Sequence, residues 1–176
     1  MRVALHPHPE SAALGEFALE VELERQEGAF VLGYTLRGEV ERLRVPDAGA
    51  PLPPQRLWEH TCFELFLARE GSSGYREFNF SPSGQWAFYR FSAYREPAPA
   101  PRPPAPRLRW QRAPGRLDLQ VRLAPESLPA GEGALRLGLA AVLEGHGGEF
   151  SWWALAHSPG RPDFHALEGF ALRWEE

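Results

Sequence analysis

Apolar residues in this chain recur at every second position rather than at every third or fourth. Phe17-Ala-Leu-Glu-Val-Glu-Leu23 alternates, and Phe30-Val-Leu-Gly-Tyr-Thr-Leu36 is a second apolar run of strand length. Glu27-Gly28 lies between them, so the pair reads as a hairpin. A period of two sends successive side chains to opposite faces of a strand, whereas one face of a helix repeats near 3.6 residues. In Glu59–Arg69, Phe63, Leu65 and Leu67 share one face, and Cys62, Glu64, Phe66 and Ala68 share the other. Tyr75–Phe80 and Gln85–Tyr94 follow as strands around Ser81-Pro-Ser-Gly84, a turn by its chemistry. Arg107–Gln111 and Arg116–Leu123 form a hairpin around Pro114-Gly115. Ala134–Leu143, Phe150–Ala156 and Gly169–Trp174 complete the set, with Val40–Val45 as a short additional strand and Pro125–Pro129 as a helical turn. About ten strands and no amphipathic helix predict an all-β fold, an antiparallel sandwich or barrel.

A chain of 176 residues fits one domain spanning 1–176 and buries enough surface to fold without disulfides. The proline-rich stretch Pro97–Pro106 is short, so it reads as a stiff internal loop rather than a domain boundary, and Pro46 to Pro54 reads as a bend. The single cysteine, Cys62, excludes an internal disulfide framework and a thiolate metal cluster. A formal charge of -4 with no lysine at all argues against a nucleic-acid partner, which calls for clustered positive charge. The N-terminal MRVALHPHPES lacks the apolar stretch of a signal peptide, and no apolar run approaches the ~20 residues of a membrane span. These features predict a cytoplasmic protein with no membrane partner, and they leave the oligomeric state open.

Three segments concentrate side chains capable of recognition. The first is Trp58-Glu-His-Thr-Cys-Phe-Glu64. Trp58 beside a proline-rich bend reads either as a loop anchor or as a ring that stacks on a ligand. Glu64 lies opposite Phe63 and Leu65, facing either solvent or a ligand. The second runs from Tyr75 to Trp86, where Glu77 and Asn79 share a face. Asn79 is the sole asparagine, and Asn is unfavourable within a strand unless its amide has a partner. Trp86, Phe88 and Arg90 alternate with Ala87, Tyr89 and Phe91, so Arg90 is a candidate partner for Glu64 or Glu77. The third runs from Ser151 to His165. The adjacent Trp152 and Trp153 point to opposite faces of their strand. Asp163 and His165, with His157, read as a loop brace, a ligand-contacting loop or a metal-ligand set.

Motifs for catalysis are missing. There is no Gly-x-Ser-x-Gly elbow, phosphate-binding loop or dinucleotide fingerprint, and Cys62 sits within a strand, a poor place for an activated thiolate. Glu64 and Glu77 would serve as an acid–base pair only in a cleft that separates their protonation states. The expectation is therefore a binding domain rather than an enzyme.

Together the segments Trp58–Phe66, Phe78–Trp86 and Trp153–His165 resemble the bacterial DOMON-like protein family, which is similar to the family 9 carbohydrate-binding modules. The resemblance spans most of the chain. It implies an immunoglobulin-like or jelly-roll sandwich that binds a small molecule, a sugar or similar polar cyclic ligand. It further implies that Trp58 and one of Trp152 and Trp153 clamp the ligand, with Glu64, Asn79 and Arg90 as polar partners. His60, His157, Asp163 and His165 are the loop residues placed to add contacts. Relatives that bind haem often pair Met with His, but the only methionine here is Met1. That leaves a bis-histidine haem site from His60, His157 or His165 as the alternative to a cofactor-free and metal-free domain. A protein-interaction sandwich is the third reading.

Overall fold

The computed structural model describes residues 1–47 and 51–175, so part of the expected Pro46–Pro54 bend lies outside the described residues. The alternating runs form strands in two antiparallel sheets. The smaller sheet has the order β1 (Arg2–Pro7), β2 (Phe17–Gln26), β3 (Ala29–Gly38), β9 (Arg116–Leu123) and β8 (Arg107–Ala113). The larger runs β7 (Glu96–Pro97), β6 (Trp86–Ala93), β5 (Tyr75–Phe80), β4 (Cys62–Arg69), β10 (Leu135–Glu144) and β11 (Phe150–Ala154), with β12 (Leu172–Trp174) also paired to β10. Twelve strands thus stand where about ten are expected, and the fold is an all-β sandwich.

The extra strands are β1 and β7. β1 serves both sheets: Arg2 to Leu5 pair with β2, and His6 and Pro7 pair with β11. Strands that switch sheets in this way form the corners of sandwiches. At the opposite edge, the proline-rich residues beyond β7 carry the chain to β8 on the other sheet. The expected strand Val40–Val45 is instead a 3-10 turn over Val40–Arg42, and only Leu43 keeps a bridge, to Gly145. Val40 and Leu43 are fully buried. Their apolar character serves core packing, which a turn provides as well as a strand does.

Every second residue of the long strands enters one core between the sheets. Leu19, Val21 and Leu23 of β2 meet Phe63, Leu65 and Leu67 of β4, Phe78 and Phe80 of β5, and Leu137 and Leu139 of β10. One polar bond ties the layers together: the Tyr34 hydroxyl of β3 crosses the core and donates to the Glu64 carbonyl at 2.9 Å. Phe63 packs beside that ring, with centroids 5.1 Å apart. β4 is therefore held from its inner face, which fixes its register beneath the site described below.

Glycines on β3 discriminate between geometry and mere sequence. Gly38 has φ +125, and a Cβ there would lie 2.0 Å from the Glu16 carbonyl oxygen. Gly33 has no atom within 4 Å of its would-be Cβ. Gly38→Ala should lose on the order of 3 kcal/mol or more in urea unfolding, while Gly33→Ala should be neutral or stabilise by about 0.5 kcal/mol. Equal effects of the two would contradict this account of the β3 end.

Candidate functional site

The strands that fill the core with one set of side chains present the other set on the outer face of the larger sheet. β4 contributes Cys62, Glu64 and Phe66, β5 contributes Tyr75, Glu77 and Asn79, and β6 contributes Ala87, Tyr89 and Phe91. Register places Glu64 opposite Asn79, Glu77 opposite Tyr89, and Val142 of β10 opposite Trp152 of β11. This face is itself largely covered. On one side Phe66, Tyr75, Phe91 and Phe170 cluster with Phe164, and on the other Leu57, Cys62 and Ala87 cluster with Leu52. Tyr89 packs against both clusters.

Between the two clusters opens a cleft of about 460 Å³. Its walls are Trp58, Tyr89, Phe91, Trp152 and Phe164, and its polar lining is Gln55, Glu64, Glu77, Arg95 and His165. Trp58 rides on the 3-10 turn Pro54–Glu59, is 51% exposed, and donates its indole N–H to the Gln55 carbonyl at 3.1 Å. Trp152 is positioned through its backbone. The Ser11 hydroxyl accepts from its N–H at 2.9 Å and donates to its carbonyl at 3.2 Å.

The floor is a pair of carboxyl groups. Glu64 is only 3% exposed, and its carboxyl group makes no hydrogen bond or ion pair with any described residue. Burial, then the neighbouring Glu77 charge, holds its pKa well above the usual carboxylate range. Glu77 accepts from the Asn79 amide at 2.9 Å. Burial raises its pKa to about 7, against the opposing pull of the Asn79 bond and the Arg95 charge. Asn79 is fully buried beneath the floor, and its Oδ1 has no hydrogen-bond partner among the described residues.

A relay of loop residues closes the other end. The Tyr75 hydroxyl accepts from the Arg95 backbone N–H at 3.1 Å and meets His165 Nδ1 at 2.8 Å. In the tautomer protonated on Nε2, the hydroxyl donates to Nδ1 and the Nε2–H faces Glu77 at 3.7 Å. Burial and the Arg95 charge lower the His165 pKa to about 4, so the ring is neutral at neutral pH. Asp163 holds Arg95 through a 2.7 Å ion pair and also accepts from the His165 backbone N–H at 3.1 Å.

The structure therefore brings Trp58, Glu64, Trp152 and His165 to one cleft, with Asn79 and Asp163 behind it as braces. It removes the others. Trp153 faces the core, its indole N–H bonded to the Ser151 hydroxyl at 2.9 Å. Arg90 does not pair with Glu64 or Glu77. It shares the parity of Trp86 and Phe88, stands opposite Arg76, and donates to the Pro99 carbonyl at 3.0 Å in a separate groove. His60 bonds Glu144 at 2.8 Å, and His157 bonds the His6 carbonyl at 2.8 Å while its ring packs edge-on against His8. His157 thus does not join Asp163 and His165 in a ligand set, and among the described residues no group of three or more His, Cys, Asp or Glu side chains is placed to hold a metal ion.

Glu77, Tyr89 and Arg95 were not among the expected contacts. Alternation does reveal the first two, since Tyr89 is out of phase with core-facing Phe88 and Glu77 is in phase with Asn79. Arg95 carried no such signal, because it stands after β6 in the left-handed region, with φ 52.

No family model matches the chain, and no curated protein matches it in sequence. Solved structures do resemble it. A family 9 carbohydrate-binding module from Caldicellulosiruptor kristjanssonii in complex with cellotriose superposes with a TM-score of 0.63 at 9% identity, over 91% of this chain and 74% of that one. The glucose complex of a family 9 module from the same organism gives 0.56 at 9% identity, over 82% and 70%. A Bacteroides uniformis protein with a proposed carbohydrate-binding role gives 0.60 at 16% identity, over 94% and 83%. At such identities the likeness is one of fold.

The buried floor has a consequence for stability. A carboxyl group whose pKa is raised by folding stabilises the protein fully below its unfolded value, and that contribution is lost as pH rises toward about 7 for Glu77. His165, whose pKa is lowered to about 4, acts oppositely, losing stability as pH falls below the ordinary histidine range. The two partly cancel in the parent, so the difference from a variant is the informative quantity. Glu77→Gln removes the titration while keeping an oxygen to accept from Asn79. It should be more stable than the parent at pH 8 by on the order of 2 kcal/mol, with the gap closing near pH 4.5. A gap in urea unfolding that is constant with pH would contradict the buried-carboxyl account.

Proposed function

We propose that the chain is a non-catalytic binding domain whose cleft takes the ring of a saccharide. The carrying observation is the pairing of aromatic rings with buried polar groups in one cleft: exposed Trp58 and half-buried Trp152 line it together with Glu64 and Glu77. A pyranose ring has apolar C–H faces and a polar hydroxyl edge. Aromatic walls match the faces, and groups with both donor and acceptor capacity match the edge. A protonated carboxyl group donates and accepts, the His165 Nε2–H donates, and the Arg95 guanidinium donates. The cleft is also of a size that suits one or two rings rather than a protein surface, at about 460 Å³. The fold shared with carbohydrate-binding modules solved with cellotriose and with glucose supports the same reading. So does the DOMON-like resemblance of the Trp58, Asn79 and His165 segments.

A cleft holding two carboxyl groups is also where hydrolysis would be sought. The pair lies on adjacent strands of one floor, with Glu64 opposite Asn79 and Glu77 two residues away. Attack on a glycosidic bond needs the two groups on either side of it. Side-by-side placement favours recognition over cleavage.

Titration calorimetry against a glycan panel that includes glucose and cellotriose tests the proposal. We expect binding by at least one saccharide class. Trp58→Ala, at an exposed turn, should weaken it by about ten-fold or more without changing the melting temperature, and Trp152→Ala should weaken it comparably. Silence across the panel, or unchanged affinity in both variants, would overturn it.

A further inference from the structure

Acidic groups outnumber basic ones in this cleft. Three carboxyl groups stand at or behind its lining, those of Glu64, Glu77 and Asp163, against one guanidinium, that of Arg95. Arg95 is engaged by Asp163 at 2.7 Å, and His165 is uncharged at neutral pH. No lysine exists anywhere in the chain to supply another cation. The remaining titratable groups that face the pair are Cys62, Tyr75 and Tyr89 on the same sheet and Tyr34 from the sheet below. Burial raises the pKa of each, so none carries positive charge and none is ionised at pH 7.

Two independent observations single out the floor as a site awaiting a partner. Glu64 is 3% exposed, lines the cleft and has no hydrogen-bond partner among the described residues. The same cleft is lined by the aromatic rings of Trp58, Tyr89 and Trp152, and the face of such a ring carries a negative quadrupole that attracts cations. Carboxylates below and aromatic faces around are the two kinds of group that stabilise a desolvated ammonium. Among the described residues that line the cleft, Arg95 is the one permanent cation that opposes it.

Resting on the saccharide reading above, we infer that the preferred ligand is an amino sugar, with its protonated amine seated on Glu64 and Glu77. The ammonium donates to Glu64, which lacks a partner, and to the Glu77 oxygen that faces the cleft. The sugar ring then lies against Trp58 and Trp152. Seating a cation there favours the ionised form of both carboxyl groups. Complex formation therefore displaces protons from the pair, into solvent where the amine is already an ammonium and onto the amine where it is neutral.

Calorimetry on the intact chain with three trisaccharides of one β-1,4 backbone tests this. The first carries free amines, the second is fully N-acetylated, and the third is cellotriose. The free-amine trimer should bind about ten-fold or more tightly than either neutral trimer at pH 7, a margin appropriate to charge-assisted hydrogen bonds. Its enthalpy should vary with the ionisation enthalpy of the buffer, reporting the protons that the pair and the amine exchange with solvent on binding. In Glu64→Gln, Glu77→Gln and the double variant, each checked by thermal melting, the ratio of amine to cellotriose affinity should fall toward one. Trp58→Ala should weaken the amine trimer too, which non-specific attraction to an acidic protein would not require. Equal affinity for the amine and neutral trimers, or a preference that survives in all three glutamine variants, overturns the amino-sugar inference while leaving the saccharide platform standing. Failure of all three trimers and of the wider glycan panel overturns the platform as well.

Discussion

The centre of the larger sheet is buried on both of its faces, and that single constraint shapes the molecule. An antiparallel sheet commonly packs one face on the core and leaves the other to water. Here β4 is buried along nearly its whole length, from Cys62 through Ala68. Its inner face meets the second sheet. Its outer face is roofed by Phe164 and Phe170 on one side and by Leu52 and Leu57 on the other. A polar residue on the outer face therefore cannot be solvated as it would be on an ordinary sandwich. Glu64, Glu77 and Asn79 lie there, and leaving such groups unpaired in a dry setting costs several kcal/mol. The fold mitigates this by leaving a gap in the roof at the carboxyl groups, whose burial shifts them toward their protonated forms.

Much of this arrangement was legible in the chain because alternation is strict. The phase of Phe63, Leu65 and Leu67 assigns Glu64 to the opposite face, and the phase of Phe78 and Phe80 does the same for Glu77 and Asn79. Alternation also separates Trp152 from Trp153, though it does not say which of them meets the core. That is decided by register with β10, where Val142 faces the cleft opposite Trp152 and Ala141 faces the core opposite Trp153. Arg90 departs from its expected pairing. Its phase, shared with Trp86 and Phe88, already placed it on the inner face at the sheet edge. Its chemistry suggested a carboxylate partner that only the outer face could offer. Phase was the stronger guide, since a side chain cannot cross its own sheet.

What the sequence could not reveal was contributed by loops and by pairings remote along the chain. Arg95 reaches the cleft because the turn after β6 takes a left-handed conformation, and Asp163, distant in sequence, holds its guanidinium. The His165 ring is tethered to the Tyr75 hydroxyl, which in turn accepts from the Arg95 backbone N–H. The strand β1 lies outside the alternating apolar runs that mark the other long strands. Pro7 in fact ends the strand at the corner between sheets, where a missing N–H costs little.

Stability and recognition draw on the same groups in opposite directions. Protonating Glu64 and Glu77 suits the empty fold, because a neutral carboxyl group is less costly to bury than an anion. Ionising them suits a cationic guest. A site of this kind is least favourable to the protein at the pH where it is most favourable to the ligand, so part of the binding free energy is stability recovered. Such a cleft works only if its walls keep their geometry when the floor changes charge. Trp58 meets this need indirectly. Its own ring is half in solvent, but its neighbour Leu57 is fully buried against Cys62 and Ala87, so the turn that carries the ring is pinned to the sheet bearing the carboxyl groups. Trp152 is pinned through the Ser11 hydroxyl on a different segment. Wall and floor are thus anchored by separate contacts, and the floor can exchange protons without displacing the rings.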